Sequence, residues 1–228
     1  MALILSLETS VDTCSVALHD SGKLLTSEAI EEPQAHASKL GLLIEKVLHG
    51  SQKATKELEA VAITSGPGSY TGLRIGVSTA KGLCYSLDIP LIAVNTLQLM
   101  AYQASHSISE GTLMCPMIDA RRMEVYSLLM DSSLSILAPI KAVVIDEQSY
   151  AEVLSNQRIA FFGNGAAKCK SVITQPNAIF IDGIIPSAIS LGELAALKFE
   201  NTEFEDLIHF EPFYLKEFQI KKSSKPLF

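Results

Sequence analysis

From Thr64 to Leu83 the chain reads TSGPGSYTGLRIGVSTAKGL, and few folds can accommodate such a string. The residues leading into it, Leu58 to Thr64, are apolar on both faces, the pattern of a strand inside a covered sheet. Gly66, Pro67 and Gly68 then impose a sharp elbow, and Ser69 or Thr71 can cap the helix that follows. Within that helix Gly72, Gly76 and Ala80 recur every four residues and clear one face of side chains. An interior glycine costs about 0.8–1 kcal/mol relative to alanine, so a close contact must compensate. Spacing alone leaves three occupants open: the chain's own sheet, an anion at the helix start, or a helix of another molecule. The anion signal is generic. No Gly-Lys-Ser/Thr follows the loop, and Thr71 stands where a dinucleotide fingerprint needs its third glycine.

The rest of the chain reads as one pattern met twice. Leu3 to Leu7, Thr13 to Leu18 and Lys23 to Ile30 are predicted strands, joined by a polar turn (Glu8 to Asp12) and a tight turn, His19-Asp20-Ser21-Gly22. Pro33 ends that meander, and a helix from about Gln34 to His49 carries Leu40, Leu43, Ile44, Val47 and Leu48 on one face. After the elbow come a strand at Leu91 to Val94 and a helix from Leu97 to about His106. The series then restarts: strands at Thr112–Ile118, Glu124–Met130 and Ile140–Ile145, a helix at Gln148–Leu154 and a strand at Ile159–Phe162. A Gly163-Asn164-Gly165 turn, a short helix, a strand at Ala178–Ile181 and a helix at Ser187–Phe199 complete it. The expectation is an α/β protein of two related lobes, residues 1–106 and 107–228, with helix 187–199 a candidate to pack back on the first.

The continuous string GPGSYTGLRIGVSTAKGL resembles the signature of the TsaB (YeaZ) family. ILSLETSVDTCSVAL (Ile4 to Leu18), DARRMEVY (Asp119 to Tyr126), GNGA (Gly163 to Ala166), PSAISLGELA (Pro186 to Ala195) and PFYLK (Pro212 to Lys216) agree with it in family order. The resemblance covers nearly the whole chain. It implies two actin-like lobes (the ASKHA or RNase H-like fold), each a mixed sheet with helices. It also implies a cytoplasmic, non-catalytic subunit that pairs with a TsaD-like catalytic subunit and a TsaE-like ATPase. Together these would move a threonylcarbamoyl group from threonylcarbamoyl-adenylate to the adenosine beside the anticodon of tRNAs reading codons that begin with A. The alternative is a stand-alone actin-fold ATPase or kinase.

The residues themselves favour a helper over a catalyst. A formal charge of −7 argues against an autonomous RNA binder, so tRNA is expected to be held indirectly, through the complex. Nucleotide-hydrolysing members of the fold hold phosphate on the first hairpin turn with an acid and closely following glycines; Glu8-Thr9-Ser10-Val11-Asp12-Thr13 keeps the acid and lacks the glycines. The TsaD-like relative carries a His-x-x-x-His metal pair. Here His36 begins the corresponding helix, but Leu40, which cannot ligate, stands four residues later. Ser65, Ser69 and Thr71 supply hydroxyls without a G-x-S-x-G elbow or a histidine base beside them. Cys14, Cys84, Cys115 and Cys169 are scattered, which points to reduced, buried thiols. No cofactor, metal or membrane contact is expected.

Asp119, Arg121, Arg122 and Glu124 read as a charged hairpin tip whose adjacent arginines can also clamp a carboxylate or phosphate. Lys216, Lys221, Lys222 and Lys225 form a basic cluster at the C-terminus. For the partner surface the expectation is the small-residue helix: Gly72, Gly76 and Ala80 as the seam, with Tyr70, Leu73, Val77 and Leu83 flanking it. A second copy on the same surface would give a homodimer when the partner is absent. On this reading Gly76→Leu leaves the fold intact and abolishes co-purification.

Overall fold

A computed structural model describes residues 2–32 and 35–216. Pro33, Gln34, Lys221, Lys222 and Lys225 lie outside the described residues. The first sheet consists of β1 (Leu3–Glu8), β2 (Thr13–Asp20), β3 (Lys23–Glu31), β4 (Ala60–Gly66) and β5 (Leu91–Asn95) in the order β3-β2-β1-β4-β5. β1 runs antiparallel to β2, and β2 to β3, while β4 and β5 extend the sheet in parallel. The second sheet consists of β6 (Leu113–Asp119), β7 (Glu124–Met130), β8 (Ile136–Val144), β9 (Ile159–Phe162) and β10 (Ala178–Ile181) in the order β10-β9-β6-β7-β8. Its pairings repeat those of the first: β6–β7 and β7–β8 antiparallel, β6–β9 and β9–β10 parallel. The duplicated pattern in the sequence is therefore a duplicated sheet, and the molecule consists of two actin-like α/β lobes.

Alternation along the strands sorts the core into layers. Leu3, Leu5 and Leu7 of β1 join Val16, Val61 and Ile63 under α1 (His36–Gly50) and α2 (Tyr70–Leu87). Ile4 faces the other way, with Ala60, Ala62, Ile92 and Val94, and is covered by Leu191 and Ala195 of α5 (Ala188–Glu200). The second sheet repeats the arrangement. Leu113, Cys115 and Met117 face one cluster, while Met114, Ile118 and Phe162 pack under Leu97, Met100, Ala101 and Ala104 of α3 (Thr96–Ser105). Thus α3, which follows the first sheet in sequence, packs on β6 and β7, and α5, which follows the second sheet, packs on β1 and β2. This exchange of helices fastens the two halves together. All four cysteines are buried free thiols.

Two elements differ most from the sequence-based expectation. β8 starts at Ile136 rather than Ile140 and carries Pro139 in its interior; β8 pairs only with β7 and is an edge strand, where a missing N–H is tolerated. The helix expected at Gln148–Leu154 is one turn, α4 (Ala151–Leu154), entered through Tyr150 at φ 61°. After α5 the chain becomes an extended strap along the first lobe. Glu205 N–H donates to Leu91 O and Phe213 N–H to Ser65 O, at 2.9 and 2.7 Å. The Lys81 ammonium donates to the carbonyls of Ile208 and Phe210.

Candidate functional site

The elbow and the first turn form one body. Ser69 caps α2 by accepting from Gly72 N–H at 3.3 Å, and its own N–H donates to Ser10 O at 2.7 Å. A Cβ on Gly72 would overlap Thr9 O, and one on Gly76 would overlap the Thr9 hydroxyl and crowd Ile63 Cδ1. The glycine row is thus the seat of the Glu8–Asp12 turn. Leu73, Val77 and Ala80 complete that face and are all buried. This corrects the expected partner seam. Gly72, Leu73, Gly76, Val77 and Ala80 touch the chain's own first lobe, Leu83 is half-buried against the same core, and only half-buried Tyr70, at the helix start, reaches a different surface. Spacing showed that something must approach closely; the turn that does so lies about sixty residues earlier.

Glu8 is wholly buried. One of its carboxylate oxygens accepts from Ser10 N–H at 2.6 Å and from the Ser10 hydroxyl at 2.5 Å, and the other has no partner. Burial raises its pKa, with Ser10 and Thr64 opposing. A carboxylate sealed from solvent, with one oxygen already held by Ser10, is poorly placed to hold a metal–phosphate group. His36 is equally engaged: it is buried, and its Nε2 lies 2.9 Å from Val11 O, bracing the same turn from α1. Four residues on, Leu40 is core. Among the described residues, no group of three His, Cys, Asp or Glu side chains gathers as a metal site. No helix there is long and apolar enough to cross a membrane.

Between the strap and the two lobes opens a cavity of about 380 Å³, lined by Ser65, Asn95, Gln98, Ile140, Glu205, Phe210, Glu211 and Phe213, with Ala93. Among the described residues its charged lining is two carboxylates, Glu205 and Glu211, and includes no lysine, arginine or histidine, so that lining opposes a polyphosphate. Asn95 orders its floor by donating to Gly66 O at 2.8 Å while capping α3.

The β6–β7 turn occupies in the second lobe the place that Glu8–Asp12 holds in the first. Asp119 pairs with Lys168, whose ammonium also donates to Glu124 O. The Glu124 carboxylate accepts from Lys216 at 2.5 and 2.6 Å. Arg121 and Arg122 both sit at positive φ, 70° and 50°.

The doubled five-stranded topology and helix exchange define a two-lobed protein of the actin-like class. A family model described as TsaD, tRNA N6-adenosine threonylcarbamoyltransferase, matches residues 30–224. The tRNA threonylcarbamoyladenosine biosynthesis protein TsaB of Haemophilus influenzae is 28% identical over 222 residues, 93% of each chain. Its Escherichia coli counterpart is 29% identical over 224 residues, 93% of this chain and 94% of that one. The solved structure of YeaZ from Pseudomonas aeruginosa superposes with a TM-score of 0.77 at 25% identity, over 94% of this chain and all of that one. The chain belongs to the TsaB (YeaZ) family.

Proposed function

We propose that this chain acts in threonylcarbamoyladenosine synthesis on tRNA as a non-catalytic subunit that dimerises with a TsaD-like catalytic subunit and works with a TsaE-like ATPase. The observation that carries the reading is the seating of Thr9 in the Gly72–Gly76 row. In this fold the first turn must stay open for a phosphate to reach it, and here the chain's own helix fills that space. A stand-alone ATPase needs that access. The acidic lining of the interlobe cavity supports the same reading.

The partner surface moves to the opposite side of the same helices. α1 and α2 lie side by side, and their outward residues include Ala37, Gly41, Leu42, Ser78, Gly82 and Tyr85. Leu42 is 52% and Tyr85 84% exposed, and a Cβ on Gly41 or Gly82 would meet nothing within 4 Å. Small and apolar groups exposed together suit close helix packing with few charges to desolvate. The family model that matches this chain carries the name of a catalytic enzyme, so the partner shares the fold and can present the same helix pair across a pseudo-two-fold axis. A second copy would use the same face in a homodimer. The two lobes, divided near residues 106 and 107, would then enter the complex as one unit.

Leu42→Glu/Tyr85→Glu should fold with stability changed by no more than about 0.5 kcal/mol per site. It should lose co-purification with the TsaD-like subunit and, with it, tRNA modification by the reconstituted set. A variant that stays bound and supports modification refutes this surface; wild-type chain that leaves modification by the other subunits unchanged refutes the function.

A further inference from the structure

We propose that the Arg121–Arg122 turn, together with Tyr70, Arg74 and Tyr214, forms a direct contact surface for the sugar-phosphate backbone of the tRNA, an inference that rests on the function proposed above and goes beyond tRNA being held only by the partners. Three of the chain's four arginines, Arg74, Arg121 and Arg122, belong to this one patch of a molecule whose formal charge is −7. A continuous set of contacts joins them. The Arg74 guanidinium lies 5.5 Å from the centre of the Tyr70 ring and donates to its hydroxyl at 3.3 Å. Tyr70 packs on Tyr214 with ring centres 4.7 Å apart. Two residues beyond Tyr214, Lys216 bonds Glu124, whose N–H donates to Arg121 O at 3.1 Å.

Among the described residues the acids of the turn are already engaged, and its arginines are not. Asp119 is held by Lys168 and Glu124 by Lys216. Glu211 acts electrostatically on Tyr214. Among the described residues neither Arg121 nor Arg122 has an ion-pair partner. Their backbone is the second observation. Two successive arginines hold left-handed conformations that glycine or asparagine adopts at less cost, inside a turn pinned by Ala120 N–H to Glu124 O and Arg121 N–H to the Asp119 carboxylate. Such strain persists where the surroundings over-determine it and is drawn to binding sites. Unpaired guanidiniums recognise phosphate in a bidentate manner. Exposed Tyr214 offers a ribose or base an aromatic surface that an acidic peptide would not need. The two features together favour RNA over an acidic protein.

The test is an anisotropy titration of a fluorescein-labelled tRNA anticodon stem–loop with the full chain, alone and in the reconstituted complex, at several salt concentrations. Arg121→Glu/Arg122→Glu should weaken binding about tenfold or more and reduce the slope of log affinity against log salt by about two. Tyr214→Ala should weaken it about fivefold or more, while Tyr214→Phe keeps wild-type affinity. Thermal melts that match wild type exclude unfolding as the cause. Unchanged affinity and salt slope in the double arginine variant overturn the proposal, as does intact RNA binding with loss of a protein partner, which would assign the patch to an acidic protein surface. Either failure leaves modification by the wild-type complex standing, so the contact and the function fail separately.

Discussion

The two lobes share a topology and treat the same turn in opposite ways. In the first, Glu8 to Val11 is buried, the Glu8 carboxylate and the Thr9 and Ser10 hydroxyls turned inward and Thr9 locked against Gly72 and Gly76. In the second, Asp119 to Glu124 stands at the surface, its acids tied to lysines and its arginines left outward on a strained backbone. What covers each turn decides the difference. β4 feeds α2, an 18-residue helix with a cleared face that lies along the turn. β9 feeds only a three-residue helical turn, Ala167–Cys169, which meets the β6–β7 turn through the Lys168 side chain rather than lying along it. One fold repeat has become a closed structural joint and the other an open surface, from the length and glycine spacing of a single helix.

The sharpest way to break this comparison is to fill the joint. Gly76→Leu must displace both Thr9 and Ile63, and the neighbouring turn backbone leaves little room to yield. Overpacking costs about 1–3 kcal/mol and more where backbone must move, so the variant should melt several degrees lower or fail to fold, as read by differential scanning calorimetry. Normal stability would show that the turn does not depend on its glycine seat. This reverses the outcome expected when the glycine row is read as a partner seam.

The next effect concerns the carboxyl inside the joint. Glu8 has a raised pKa because it is buried, so the stability it contributes is complete below the unfolded value of about 4.3 and is lost as pH rises through the folded value. Glu8→Gln keeps a carbonyl to accept from Ser10 and does not titrate. The melting temperature of the variant minus that of wild type should therefore grow more positive from about pH 4 to pH 8. Taking the difference removes His19, whose burial lowers its pKa against the opposing charge of Glu193 and gives the opposite limb, with stability lost as pH falls below about 6.5. A difference that stays flat with pH would show that Glu8 is ionised and satisfied where it lies.

Much of this arrangement is legible in the residues before any coordinates. The strands are legible because alternation and turn chemistry are local, and the doubled order of elements already implies two lobes. The glycine row is legible as a demand for close approach, but its occupant is not, because a face of period four says nothing about which distant backbone arrives. The exchange of α3 and α5 is hidden for the same reason: their apolar faces look alike whichever sheet they cover. Pro139 misplaces the start of β8 because a proline argues against a central strand, and only topology reveals an edge. The positive φ of Arg121 and Arg122 has no sequence signal at all, since turns of that shape are normally announced by asparagine and glycine.

That missing signal gives the smallest predicted effect. If the turn were selected for stability alone, Arg121→Asn/Arg122→Gly would be the natural sequence, because both replacements adopt left-handed backbone at less cost. The double variant should gain about 1 kcal/mol, offset in part by the extra freedom of the unfolded glycine, which corresponds to about 2–4 °C in a chain of this size. It should at the same time lose the salt-sensitive RNA affinity proposed for the arginines. A gain in stability with that affinity lost would show the second lobe sustaining strain for binding at the very turn the first lobe has sealed. A loss of stability would mean that the arginine side chains support the hairpin themselves, and the contrast between the two turns would then be one of burial alone.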